Sequence, residues 1–155
     1  MIKSHIKLDS KSELNQKLKG HVFHVTPTQN MPLIEKSKAV LPNINGERDS
    51  LFGNTVYGFF RLRGCVSLFD YRNYGSEEWE AHAHKCAPTL LLRQTDSISI
   101  LFLSENEYPK LESWMKWKEE EQWSQRVVPH VEIGYPGSLL FECFTEHLVV
   151  EQVSG

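Results

Sequence analysis

Val22-Phe23-His24-Val25, closed by Thr26-Pro27, is the stretch on which the fold turns. Three of its four residues are β-branched or aromatic, and the proline removes a backbone donor at its end, so it reads as a core strand over 22–25. Downstream, Thr28 is placed to cap a helix that carries Met31, Leu33 and Ile34 toward the core, with Pro32 tolerated in the first turn. Upstream, residues 1–20 are polar and rich in Lys and Ser. They read as an N-terminal extension or a short helix, capped by Asp9 or Ser10, presenting Leu14 and Leu18 and ended by Gly20.

The remaining segments follow from the same rules. Residues 42–50 hold Pro, Asn, Gly and Asp and read as an exposed loop. Cys65-Val66-Ser67-Leu68-Phe69 reads as a strand after Gly64, and Ser76 before Glu77-Glu78-Trp79 starts a short helix. Residues 89–93 and 98–103 read as two strands joined by Gln94-Thr95-Asp96-Ser97. Helical spacing over 108–125 predicts the longest helix, with Trp114, Trp117 and Trp123 giving it aromatic weight. Val131-Glu132-Ile133, a turn at Tyr135-Pro136-Gly137 and a last strand near 148–150 complete the chain. Together these give an α+β fold in one domain spanning 1–155.

Composition narrows the function classes. With 155 residues, 40% hydrophobic and 24% charged, the chain has material for one closed core. A formal net charge of -3 gives no global attraction to nucleic acid or anionic lipid. The most apolar run, Ile98 to Leu103, is too short to span a bilayer, and the first residues lack the apolar run of a secretory signal. Cys65, Cys86 and Cys143 are odd in number and scattered, which fits a reducing, cytoplasmic setting, while the short apolar run and the charge balance imply no membrane partner.

Three constellations carry candidate chemistry. In Val131-Glu132-Ile133 the strand period sends both apolar side chains to one face and Glu132, with His130, to the other, where it either meets water or serves a site. His24 lies opposite in direction to its apolar neighbours, with Thr26 on its own face; it is either a satisfied structural histidine or a donor and acceptor in a cleft. His82-Ala83-His84-Lys85-Cys86 holds zinc-ligand types, but no second pair closes a metal geometry, so it reads first as a polar turn. Dinucleotide fingerprint, phosphate loop and nucleophile elbow are all missing from the sequence. Cys65 and Cys143 sit in apolar surroundings that favour an inert thiol, and the tryptophans read as packing.

In order along the chain, three motifs form a pattern: His24-Val25-Thr26 with a helix and a Leu41-Pro42 exit, Gly64-Cys65-Val66-Ser67-Leu68-Phe69-Asp70, and Val128-Pro129-His130-Val131-Glu132-Ile133-Gly134-Tyr135-Pro136-Gly137. This pattern resembles the ADP-ribosyltransferase superfamily, in particular the branch of bacterial DNA-targeting toxins and poly-ADP-ribose polymerases. The resemblance runs from about His21 to Val150. It implies a split antiparallel β-sheet core with a few flanking helices, and NAD as substrate. It further implies that Glu132 is catalytic, that His24 and Thr26 hold the NAD ribose end, and that Ser67 lines the nicotinamide pocket. The family's middle tyrosine falls on Tyr71 or Tyr57, and its NAD-binding arginine on Arg48, Arg61, Arg63 or Arg72.

The expected activity is therefore cleavage of the nicotinamide–ribose bond, with ADP-ribose passed to an unknown protein or nucleic-acid acceptor or to water. The alternative is a non-catalytic binding or regulatory module on the same fold, acting in phage–host or toxin–antitoxin conflict. A small metal-dependent hydrolase built on His82, His84 and Cys86 is the third expectation.

Overall fold

The computed structural model describes residues 1–8, 11–42 and 58–152. In chain order these form β1 (Ile2–Leu8), α1 (Lys11–Leu18), β2 (Val22–Pro27), α2 (Met31–Ser37), β3 (Ala39–Val40), α3 (Phe59–Leu62) and β4 (Cys65–Asp70). There follow α4 (Glu77–Ala83), β5 (Ser97–Leu103), β6 (Glu112–Ser113), α5 (Met115–Glu119), β7 (Glu132–Pro136), β8 (Leu139–Leu140) and β9 (Phe144–Gln152). Seven strands make one sheet in the order β1-β9-β5-β2-β4-β7-β6, and β3 pairs with β8 in a small second sheet. The fold is α+β. The large sheet is mixed, because β1 joins β9 in parallel while its other pairs are antiparallel.

Strand alternation sorts the core into two layers. Phe23, Val25, Ile98, Ile100, Phe102 and Leu148 face a cluster closed by Leu14 and Leu18 of α1 and Trp79 of α4. Val22, Leu68, Leu101 and Leu103 face a second cluster closed by Met31 of α2 and by Val40 and Leu139 of the small sheet. Both layers exclude water from the sheet's centre, so β5 is buried along nearly its whole length.

The relationship that shapes the molecule is between β2 and its two neighbours. Against β5, β2 stays in register from Phe23 to Pro27. Against β4 it pairs only at Val22 and Phe23, opposite Asp70 and Phe69. Beyond Phe23 the two strands part, and the sheet opens between His24–Pro27 on one side and Cys65–Leu68 on the other. A gap in a hydrogen-bonded sheet leaves edges that a ligand can meet.

Several sequence expectations change. The segment 108–125 is broken: a 3-10 turn (Glu105–Lys110), the short β6 and the five-residue α5 replace one long helix. Its apolar residues serve different cores, since Tyr108 and Leu111 pack on the second layer while Trp114 and Trp117 pack on Phe59 and Phe60. One helical stripe cannot face both. Residues 89–93, expected as a strand, form a 3-10 helix (Pro88–Arg93) that buries Leu91 and Leu92; a short apolar run fits either state. Ile2–Leu8, expected as part of an extension or helix, is an edge strand, whereas α1 forms as the leucine spacing predicts. Leu33 is 67% exposed and does not enter the core. Asp9 and Ser10, the expected caps, and all but Pro42 of the expected loop over 42–50 lie outside the described residues.

Candidate functional site

The parted strands border a cleft of about 1040 Å³. Four residues singled out in the sequence line it together: His24 and Thr26 from β2, Ser67 from β4 and Glu132 from β7. The pleat sends His24 to the face shared with Leu101, and Ser67 to the face shared with Phe69, so the two reach the gap from opposite sides of the sheet.

Glu132 is the anchor. Ser67 Oγ donates to Glu132 Oε2 at 2.6 Å, and the Val128 amide donates to Oε1 at 3.0 Å. The Glu132 amide in turn donates to Val128 O at 2.9 Å, so residues 128 and 132 bond in both directions across a tight turn. His130 makes that turn with φ at 66°, a left-handed conformation uncommon for a side-chain-bearing residue. Because β7 begins only at Glu132, Val131 falls in the first core layer and Ile133 in the second, and the one-face pairing expected for them does not form. Burial pushes the Glu132 carboxyl above its ordinary value, partly opposed by the Ser67 and Val128 hydrogen bonds. Glu132 is partly exposed where it lines the cleft, in surroundings dense enough for desolvation to dominate.

The other expected residues divide. Thr26 is buried and its Oγ1 accepts from Asn30 Nδ2 at 3.0 Å, which ties the cleft wall to the start of α2. Tyr71 is 4% exposed and packs among Phe23, Phe69, Tyr74 and Trp79, outside the cleft. Of the arginines, Arg61 lines the cleft. Arg63 instead pairs with Glu112 and Glu120, and Arg72 pairs with Asp70 and lies over the Tyr108 ring. Tyr57 and Arg48 lie outside the described residues.

His82 and Cys86 flank the same region without forming a metal centre. His82 lies near the end of α4, with Nδ1 2.9 Å from Lys85 Nζ and its ring stacked on His130. Among the described residues no group of three or more His, Cys, Asp or Glu side chains is arranged to hold a metal ion. Burial pushes the thiols up, to about 12 for Cys65 and Cys86 and about 11 for Cys143, so all three are poor nucleophiles at neutral pH.

Sequence reasoning missed two parts of the cleft. One is the Val128 amide, a backbone group that every residue but proline carries and no side-chain pattern marks. The other is Arg126, brought to the cleft by a bridge to Gly58 and by the Phe59 amide, which donates to Arg126 O at 2.8 Å. Comparison with protein-family models, with curated proteins and with solved structures finds no match to this chain.

Proposed function

We propose that the protein is an NAD-using ADP-ribosyltransferase or NAD glycohydrolase with Glu132 as its catalytic carboxylate. The observation that carries this reading is the Glu132 side chain, held by Ser67 and Val128 at a cleft opened by the parting of β2 and β4. Each carboxylate oxygen has two lone pairs and spends one on its protein donor, so a ribose hydroxyl can still be accepted. Cleavage of the nicotinamide–ribose bond develops positive charge at the ribose carbon, and a fixed carboxylate stabilises it without reorganising. In this reading His24 hydrogen-bonds a ribose hydroxyl, Thr26 supports that wall, and Ser67 lines the nicotinamide pocket while holding the glutamate. ADP-ribose then passes to water or to a macromolecular acceptor.

The test is nicotinamide release from NAD by the Glu132→Gln protein. Release should fall by about 10²–10³-fold, the scale for losing one preorganised electrostatic group, in a protein that still melts cooperatively. Normal turnover by this variant overturns the reading.

A second reading, a non-catalytic binding module, is favoured by one observation: the Tyr71 ring is committed to the core and offers no aromatic surface in the cleft. It predicts that millimolar NAD leaves the melting temperature unchanged. A rise of a few degrees, the linkage expected for a bound ligand, counts against it.

A further inference from the structure

We infer that a second cavity, separate from the cleft, binds a small amphiphilic cation: an aromatic body with a hydrogen-bonding group that reaches Tyr71 and an ammonium that meets Glu80. The cavity has a volume of about 230 Å³ and lies between α1, α4 and the turn after α4. That is far more space than one water molecule needs. Among the described residues none that lines this cavity also lines the cleft, so the inference stands whether or not the protein uses NAD.

Three rings form its floor. Tyr71 meets Trp79 edge-on with centroids 4.8 Å apart, and Tyr74 tilts against Trp79 at 4.8 Å. The set is anchored to the backbone: Trp79 Nε1 donates to Asp70 O at 3.0 Å, and the Trp79 amide donates to Ser76 Oγ at 3.3 Å. Leu14 and Leu18 of α1 add apolar wall. Tyr71 carries the observation that points to a ligand. It is 4% exposed, yet among the described residues its hydroxyl has no hydrogen-bond partner. Among those residues no fully enclosed side-chain nitrogen or oxygen is left unpaired, so this hydroxyl opens onto free space, and the space Tyr71 lines is this cavity. Burial pushes its pKa up, so the phenol keeps its proton and can donate as well as accept. An unpaired polar group in such a setting is unfavourable, and a ligand atom that bonds it removes the penalty.

The mouth selects the charge. Glu80 lines it, is exposed, and among the described residues forms no ion pair. Glu77 and Glu78 on the same helix add the same sign, and His84 is the other titratable group at the lining. No Lys or Arg among the described residues lines the cavity. Aromatic faces carry partial negative charge, so floor and carboxylate favour the same ligand, a cation. A carboxylic acid would be repelled by Glu80.

The experiment is calorimetric titration at low ionic strength and at about pH 8, where histidine is neutral. Four probes share one ring: tyramine, phenethylamine (no phenol), tyrosol (no charge) and 4-hydroxyphenylacetate (charge reversed). Tyramine should bind the wild type in the millimolar range or tighter, and bind Glu132→Gln equally well. Glu80→Gln should weaken tyramine by about threefold, the scale of an exposed ion pair, and leave tyrosol unchanged. Tyr71→Phe should weaken tyramine by about fivefold, the scale of one neutral hydrogen bond, and leave phenethylamine unchanged. It should also melt no lower than the wild type, because the hydroxyl it removes is unpaired. If Tyr71→Phe fails to fold, Ala83→Leu, which fills the cavity from α4, should abolish tyramine binding instead. Failure of tyramine to bind, affinity unchanged in either Glu80→Gln or the cavity variant, or 4-hydroxyphenylacetate binding as tightly as tyramine overturns the site. Loss of tyramine in Glu132→Gln places the ligand in the cleft and overturns it as well. Nicotinamide release by Glu132→Gln removes the catalytic reading and leaves this site standing.

Discussion

Ser67 and Glu132 are joined at 2.6 Å although they are not opposite one another: in the β4–β7 register Ser67 faces Gly134, and Glu132 faces Phe69. The bond is a diagonal across the sheet, within reach because cross-strand diagonals on one face lie close. Gly134, opposite Ser67, has no side chain, and the space a Cβ would take there is filled by the Phe60 ring. A glycine that takes no part in the chemistry thus lets Phe60 pack against β7 beside the site.

Holding a carboxyl in this setting costs stability. Burial raises the Glu132 pKa above its ordinary 4.5, so the folded state favours the protonated form. The sign follows: the stabilising contribution is complete below the unfolded value and is lost as pH rises through the folded one. Glutamine stays neutral throughout, can accept from Val128 and can donate to Ser67. Glu132→Gln is therefore expected to melt at or above the wild type at neutral pH, with the gap closing as pH falls toward 4.5. Thermal melts across that range check this; a wild type that is the more stable at neutral pH contradicts it. Such a gain on removing a functional group is a familiar trade of stability against activity.

Ser67→Ala probes the same bond from the other side. The Ser67 hydroxyl lowers the Glu132 pKa, so its loss lets burial raise that value further. If ionised Glu132 drives nicotinamide release, the acidic limb of the pH–rate profile should move to higher pH in Ser67→Ala. A reduced rate with an unmoved limb would assign Ser67 to substrate contact alone.

Gly134→Ala tests the packing of Phe60 against β7. A Cβ at that position would overlap the Phe60 ring, and Phe60 is fully buried, so the ring has little room to yield. Overpacking of this kind costs about 1–3 kcal/mol. Chemical denaturation should show a lowered midpoint with an unchanged slope; equal stability would mean that the ring relocates freely.

The sequence-legible parts of the molecule are those where local pattern and tertiary burial agree. Val22–Val25 and Ile98–Leu103 read as strands because both of their faces are buried, one in each cluster, and Leu14 and Leu18 read as one helical face because both serve the first cluster. The 108–125 region misleads because its apolar residues are shared between two clusters. Ile2–Leu8 hides because it is an edge strand paired on one side only, with polar Lys3, Ser4, His5 and Lys7 along it. At the cleft, His24, with Thr26 on its face, and Glu132 are legible as polar side chains set among apolar strand neighbours, whereas Ser67 enters only through the family resemblance. Tyr71 was not separable from them, because a tyrosine beside a strand reads alike whether its ring packs inward or lines a cleft. Arg126 and the Val128 amide arrive by chain reversal, which no short motif encodes.

Beside the cleft wall lies a polar network that should make the fold sensitive to acid. His147 Nε2 is 2.7 Å from Ser99 Oγ, and Ser99 donates onward to Thr28 Oγ1 at 3.1 Å, two residues past Thr26. Ser99 is fully buried, so this chain of bonds replaces water. With Ser99 donating to Thr28, its oxygen accepts from a neutral His147 Nε2–H. Burial lowers the His147 pKa below its ordinary 6.5, Lys3 on β1 lowers it further, and Glu35 on α2 opposes them. A depressed folded value means that the contribution is present above 6.5 and lost as pH falls through the folded pKa. Urea unfolding should therefore show stability declining between neutral pH and about pH 5, the range in which histidine titrates. His147→Gln, which keeps a donor for Ser99 but cannot take up a proton there, should flatten that decline. If the variant's stability falls with acid as steeply as the wild type's, the sensitivity lies in another group and His147 is only a structural link between β9 and β5.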